Sequence, residues 1–121
     1  LGKNGRDRSN VWSFPGMGGF GKSRKKARAL HPTVKPVALI GEAILDVTAP
    51  GDMVLDMFGG SGSTLIAAER LNRRARLIEL SPTYVDRTIT RWQDLTGRSA
   101  TEINMGLPFD KLAAQRAEEP L

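Results

Sequence analysis

A carboxylate followed by a run of small and hydroxyl residues stands near the middle of the chain: Asp56-Met-Phe-Gly-Gly-Ser-Gly-Ser-Thr64. Gly59, Gly60 and Gly62 lack β-carbons, so a ligand can come close to the backbone there. A helix that starts after such a loop presents free amide N–H groups to whatever lies in front of it. A second acid, Glu79, follows Asp56 by 23 residues. At the end of a strand, an acid in that place suits the two hydroxyls of a ribose. Asp56 at the loop mouth would repel a phosphate but would suit a ligand carrying an ammonium group.

Two well-known phosphate loops do not fit. A dinucleotide loop needs G-x-G-x-x-G, and Gly60-Ser-Gly62-Ser-Thr-Leu65 has leucine where the third glycine should stand. A P-loop ends in Gly-Lys-Ser/Thr, and the segment has no lysine. The plainest alternative is a tight strand-to-helix turn that binds nothing. The loop and the distal acid occurring together, in this order, argue against it.

The elements that must position these residues can be read on either side of the loop. His31-Pro-Thr-Val-Lys-Pro36 is held extended by its two prolines. Pro36 suits the first position of a helix, and Val37, Ile40, Ile44 and Val47 continue it at helical spacing to about Val47. Pro50-Gly51-Asp52 is a turn. Met53–Met57 is almost wholly apolar, which predicts a strand buried on both faces. After the glycines, a helix runs through Leu65–Leu71, with Asn72 as its C-terminal cap. Ala75–Leu80 predicts a second strand. Ser81-Pro82 starts a third helix with Val85, Ile89 and Trp92 on its apolar face, and Gly97 stops it. A short helix is expected after Pro108, and then a tail. The order is a βαβ unit with a helix in front, whose right-handed crossover makes the strands parallel neighbours.

Residues 31–97 resemble the DNA amino-methyltransferases. Asp56-x-Phe58-x-Gly60-x-Gly62-x-Thr64 is similar to the S-adenosylmethionine loop of that family, and His31-Pro-Thr-x-Lys-Pro36 to the cofactor-binding element before it. Ile78-Glu79-Leu80-x-Pro82-x-Tyr84 and the helix bearing Arg91-Trp92 resemble the next strand and helix. The order is that of the permuted class, in which the catalytic half comes first. The resemblance implies an α/β fold: a partial Rossmann-like methyltransferase fold whose sheet is incomplete in this chain. It implies that Thr33 and Lys35 meet the methionine carboxylate, with Ser61 and the amides around Gly59, Gly60 and Gly62 nearby. Asp56 would face the ammonium, Phe58 would pack on the cofactor, and Glu79 would hold the ribose. His31 has two readings, a structural histidine beside the helix or a ligand contact. Tyr84 and Trp92 are read mainly as packing residues, with Tyr84 on the adenine side as the other reading.

The family's catalytic motif, Asp/Asn/Ser-Pro-Pro-aromatic, is missing, since the sequence contains no Pro-Pro. Ser81-Pro-Thr-Tyr84 comes near it, but Thr83 replaces the second proline and the segment directly follows the Glu79 strand. No residue of this chain is therefore assigned a catalytic role. The chain is expected to be the C-terminal, cofactor-binding part of a larger enzyme, inactive alone. Two strands do not make an ordinary sheet of this kind, so an upstream catalytic half, a second copy or an exchange of segments is expected to complete it.

Composition and charge set the remaining bounds. The 121 residues include no cysteine and one histidine, which excludes a disulfide scaffold and a thiolate metal site. No apolar run reaches membrane-spanning length. Of the net charge of +5, residues 1–30 carry +7, from eight basic residues against Asp7, and the rest carries −2. Lys22, Arg24, Lys25, Lys26 and Arg28 cluster in that glycine-rich arm. The arm reads as a solvated loop or, with the family resemblance, as weak contacts to double-stranded DNA at the edge of a target-recognition region. Within it, Val11-Trp12-Ser13-Phe14 predicts an extended strand ended by Pro15. The division expected is thus an arm over 1–30, the cofactor-binding part over 31–97 and an extension over 98–121. The resemblance implies a cytoplasmic, nucleoid-associated enzyme of bacterial or phage origin. The competing functional readings are a non-catalytic nucleic-acid-binding module on a degenerate methyltransferase fold, and an RNA or small-molecule methyltransferase.

Overall fold

The computed structural model describes residues 11–14 and 35–118. In chain order the elements are α1 (Val37–Val47), β1 (Met53–Asp56), α2 (Ser63–Arg70), β2 (Arg74–Leu77), α3 (Pro82–Thr96) and α4 (Phe109–Glu118). The strands pair in parallel, with Met53 opposite Arg74 and Asp56 opposite Leu77, as the βαβ reading requires. His31, Thr33 and the basic cluster Lys22, Arg24, Lys25, Lys26 and Arg28 lie outside the described residues.

Proline, threonine and glycine set most of the boundaries. Pro36 is the residue capping α1 rather than its first helical residue. At the other end, the Thr48 N–H and hydroxyl both donate to the Ile44 carbonyl and turn the chain out of the helix. Helix α2 ends in a left-handed residue, Asn72, at φ 58°. There the Arg73 N–H donates to the Ala68 carbonyl and the Asn72 N–H to that of Glu69, the paired bonds of a Schellman termination. Gly97, at φ 68°, stops α3.

The core is small and lies on one side of the sheet. Ile44, Ala67 and Ala68 are buried, with Val37, Ile40, Val54, Leu71 and Ala75 packed around them. The two alanines let α2 lie close to the strands. Arg73 joins the two loops beneath this core, donating to the Thr48 hydroxyl (3.0 Å), the Thr48 carbonyl (2.9 Å) and the Leu71 carbonyl (2.5 Å).

Three further expectations change. β1 is not buried on both faces: Val54 is half-buried, while Met53 and Leu55 are exposed, Leu55 by 63%. Among the described residues, helices cover only one face of the sheet, so every second residue of each strand looks outward. Both strands are also shorter than expected, β1 ending at Asp56 and β2 at Leu77. Pairing nevertheless continues past β2, with the Ile78 N–H donating to the Asp56 carbonyl and the Gly59 N–H to the Ile78 carbonyl. Val11–Phe14 forms no strand, having no partner ladder among the described residues.

The chain after α3 folds back onto it. The Phe109 N–H donates to the Ala100 carbonyl, and the Gln93 amide holds both the Ala100 N–H and the Asp110 carboxylate. The Glu102 carboxylate accepts the Asn104 and Met105 N–H groups, which hold it below its ordinary value. The helix expected after Pro108 is present as α4, ten residues long. No helix among the described residues is long and apolar enough to cross a membrane.

Replacing Arg73 with alanine leaves the Leu71 and Thr48 carbonyls without their donor. The expected loss in urea-unfolding free energy is about 2 kcal/mol. Arg73→Lys, which cannot fork to three acceptors, should recover only part of it. An Arg73→Ala midpoint equal to that of the parent would show that the guanidinium does not tie the two loops.

Candidate functional site

β1 delivers Asp56 to the start of the glycine loop, and the loop delivers Ser63 to the start of α2. One Asp56 oxygen accepts the Phe58 N–H at 2.9 Å, and the other accepts the Thr64 hydroxyl at 2.5 Å. The carboxylate thereby ties the strand end to the first turn of α2. Glu79 ties the loop from the other strand: one oxygen accepts the Gly60 N–H at 2.7 Å and the other the Ser81 N–H at 2.8 Å. An ionised carboxylate offers about four acceptor positions, so Asp56 keeps capacity for a ligand's donors.

The third wall behind the loop is α3. Gly60 and Gly62 take φ of 55° and 77°, a region that side-chain-bearing residues avoid. A β-carbon on Gly62 would also fall 2.5 Å from the Thr88 methyl. The Thr88 hydroxyl donates to the Gly60 carbonyl at 3.2 Å. One turn further along, the Arg91 guanidinium donates to the Ser61 carbonyl at 3.0 Å and to the Ser63 hydroxyl at 3.3 Å. Burial, and then the nearby positive charge of Arg70, push Arg91 below the ordinary guanidinium value. Helix α3 is itself anchored to α2, where Glu69 accepts the Trp92 indole N–H at 3.1 Å and pairs with Arg98.

In front of the loop lies a crevice of about 250 Å³. Of the nine residues expected at a cofactor site, seven line it: Lys35, Asp56, Phe58, Gly59, Gly60, Ser61 and Glu79. Gly62 does not; it faces Thr88 behind the loop. Thr33, like His31, lies outside the described residues. Ile40, Ser63 and Thr64 complete the lining and were not among the expected site residues. Thr64 and Ser63 sit inside the glycine motif, and their place in the first turn of α2 was the signal for them. Tyr84 and Trp92 do not line the crevice, and Tyr84 lies half-buried on α3 with the Arg87 guanidinium over its ring at 5.7 Å. Ser81-Pro-Thr-Tyr84 opens α3, and its N–H group at Ser81 serves Glu79.

The chemistry of this lining is specific. Two carboxylates at one end accept hydrogen bonds from ammonium or hydroxyl donors. Lys35 supplies a cation, and the first turn of α2 supplies amide donors for an anionic group. Phe58 is 90% exposed and offers an aromatic face to the opening. The crevice thus suits a ligand with both ends of an amino acid and a pair of hydroxyls.

Residues 1–91 match the family model described as DNA methylase, for enzymes of the N6 and N4 type. The chain belongs to this DNA methylase family. Among its relatives, the type II methyltransferase M2.MboI of Moraxella bovis is 33% identical over 75% of this chain and 32% of that enzyme. The type II methyltransferase M.HpaI of Haemophilus parainfluenzae is 39% identical over 68% of the chain and 25% of that enzyme. The chain therefore spans about a third or less of the curated relatives it matches. The crystal structure of M1.HpyAVI with SAM superposes with a TM-score of 0.61 at 29% identity, covering 76% of this chain and 43% of that one. The cytosine-N4-specific PvuII DNA methyltransferase gives 0.51 at 31% identity, over 70% of this chain and 29% of that one. The architecture of this DNA methylase chain is accordingly a partial Rossmann-like methyltransferase fold.

Substituting Gly62 by alanine meets both the left-handed backbone and the Thr88 side chain. It should cost about 2 kcal/mol of stability in urea melts. Adding Thr88→Ala should recover part of that loss, by removing the collision but not the strain. Equal melts for Gly62→Ala and the parent would contradict this packing.

Proposed function

We propose that the crevice binds S-adenosylmethionine, and that the chain is the cofactor-binding part of a DNA methyltransferase acting on the exocyclic amine of adenine or cytosine. The observation that carries this is the convergence of Asp56, Glu79 and Lys35 on one crevice around the glycine loop. The likeness to M1.HpyAVI in its SAM complex and to the two type II methyltransferases supports it.

The roles follow from charge and hydrogen-bonding capacity. Lys35, with Thr33, Ser61 and the amides of the first turn of α2, receives the methionine carboxylate. Asp56 accepts from the ammonium, and Phe58 packs on the cofactor. Glu79, just past the end of β2, accepts from the ribose hydroxyls. When bound, S-adenosylmethionine supplies a methyl group on a positively charged sulfur, activated for transfer. This chain's contribution is to hold that group in place, which is where much of such a reaction's acceleration arises.

The exocyclic amine is a poor nucleophile because its lone pair is delocalised into the base. A side-chain oxygen and a backbone carbonyl that accept its hydrogens localise the pair. An aromatic side chain stacks on the base once it has left the duplex. The sequence has no Pro-Pro-aromatic motif to supply these groups. They come, in this reading, from polypeptide beyond these 121 residues, which also covers the outward face of β1. Pairing with a second copy, or exchange of segments between copies, is the competing way to cover that face. The basic arm carrying Lys22, Arg24, Lys25, Lys26 and Arg28 meets DNA phosphates, and the assembled enzyme works in the bacterial cytoplasm.

Calorimetry with S-adenosylhomocysteine tests the cofactor assignment. The chain should bind it, and Asp56→Ala and Glu79→Ala should each weaken binding about tenfold or more. Absence of binding by a folded chain, or indifference to both changes, would refute the assignment. Duplex DNA tests the arm. Affinity should fall with log salt at a slope of about −0.9 for each phosphate neutralised. Glutamine at the five arm positions should flatten that slope, and an unaltered slope would remove the arm from the DNA contact.

A further inference from the structure

The Arg91 guanidinium lies behind the crevice and touches none of the space a ligand would fill, since no residue of α3 lines it. It nevertheless reaches both crevice walls. One wall is the glycine loop, where Arg91 donates to the Ser61 carbonyl at 3.0 Å. The other wall is the segment bearing Lys35. The same nitrogen donates to the Ser63 hydroxyl, which in turn donates to the Lys35 carbonyl at 3.1 Å. A serine hydroxyl has one proton. By occupying an acceptor position on Ser63, Arg91 leaves that proton for Lys35. Along this relay Ser63 is buried and Arg91 half-buried.

Thr88 stands one helical turn before Arg91 on α3 and works on the preceding peptide. It holds the Gly60 carbonyl toward α3. In a trans peptide the N–H points opposite to the C=O, so the Ser61 N–H is directed away from α3. The Gly62 N–H, whose peptide carbonyl is the one held by Arg91, donates to the Gly59 carbonyl at 2.9 Å and closes the turn. Two successive loop peptides are therefore oriented from one face of α3.

From this we infer that Arg91 is a positioning residue for the cofactor. Through Ser63 it fixes the Lys35 segment against the glycine loop, and with Thr88 it sets the direction of the loop peptides. The inference rests on the S-adenosylmethionine reading of the crevice. It adds a residue outside the ligand-lining set, on an element whose sequence signature gave Arg91 no role beyond its place beside Trp92.

The test uses S-adenosylhomocysteine calorimetry and thermal melts on the whole 121-residue chain. Arg91→Met should weaken binding about tenfold. Arg91→Lys, whose ammonium can still donate to Ser61 and Ser63, should recover most of the affinity. Both should melt within a few degrees of the parent. A residue that only supported the fold would lower the melt along with the affinity and would not be rescued by lysine. Ser63→Ala supplies the second arm: if Arg91 acts through Ser63, the double variant should bind more tightly than the product of the two single losses implies. Arg91→Met binding as tightly as the parent, or fully additive losses with no lysine rescue, would overturn the role of Arg91 and leave the crevice assignment standing. A folded parent chain that binds no S-adenosylhomocysteine would overturn the crevice assignment first, and this inference with it.

Discussion

The glycine loop is held by a carboxylate from each strand end. Glu79 stands two residues past the end of β2, and its oxygens accept N–H groups from Gly60 and Ser81. That joins the loop after β1, the end of β2 and the start of α3 at one point. A backbone N–H left unpaired in such a tight turn is costly, and a charged acceptor is the strongest remedy available. Asp56 does the same on the other side, through Phe58 and Thr64. The two acids therefore build the crevice walls as well as facing into the crevice. In the proposed reading, ligand recognition and loop architecture draw on the same groups, which makes the site sensitive to either acid.

The helices divide the remaining labour. α1 and α2 bury one face of the sheet through Ile44, Ala67 and Ala68, and α1 follows directly on Lys35. α3 packs behind the loop, at a distance set by Gly62 meeting Thr88. Its seating on α2 is reinforced by Glu69, shared between Trp92 and Arg98. α4 and the 98–108 segment pack on α3 away from the crevice, around a second cavity lined by Val85, Ile89, Phe109 and Leu112.

Much of this was legible in the residues because local chemistry sets it. Pro36, Pro82 and Gly97 mark helix ends, and Asn72 ends α2 in the left-handed conformation that its short polar side chain tolerates. The loop and both acids declare themselves by spacing, and the structure gathers them with Lys35. What local pattern does not reveal is which neighbours are present. The apolar run of β1 reads as a strand enclosed on both sides, yet its outward residues are bare among the described elements. Val11–Phe14 alternates like a strand but has no ladder to join. The ties of Thr88 and Arg91 to the loop have no local signature, because their partners are loop carbonyls about 30 positions away, and carbonyls leave no mark in a sequence.

The outward face of the sheet is lopsided. β1 shows Met53 and Leu55 there, whereas β2 shows Arg74 and Arg76, paired with them in register. Arginines on an outer strand discourage indiscriminate edge-to-edge stacking, a safeguard against aggregation. Methionine and leucine do the opposite and attract an oily layer. The polarity gradient across only two strands thus directs apolar cover to the β1 side of this face, while the arginines keep the β2 side wet.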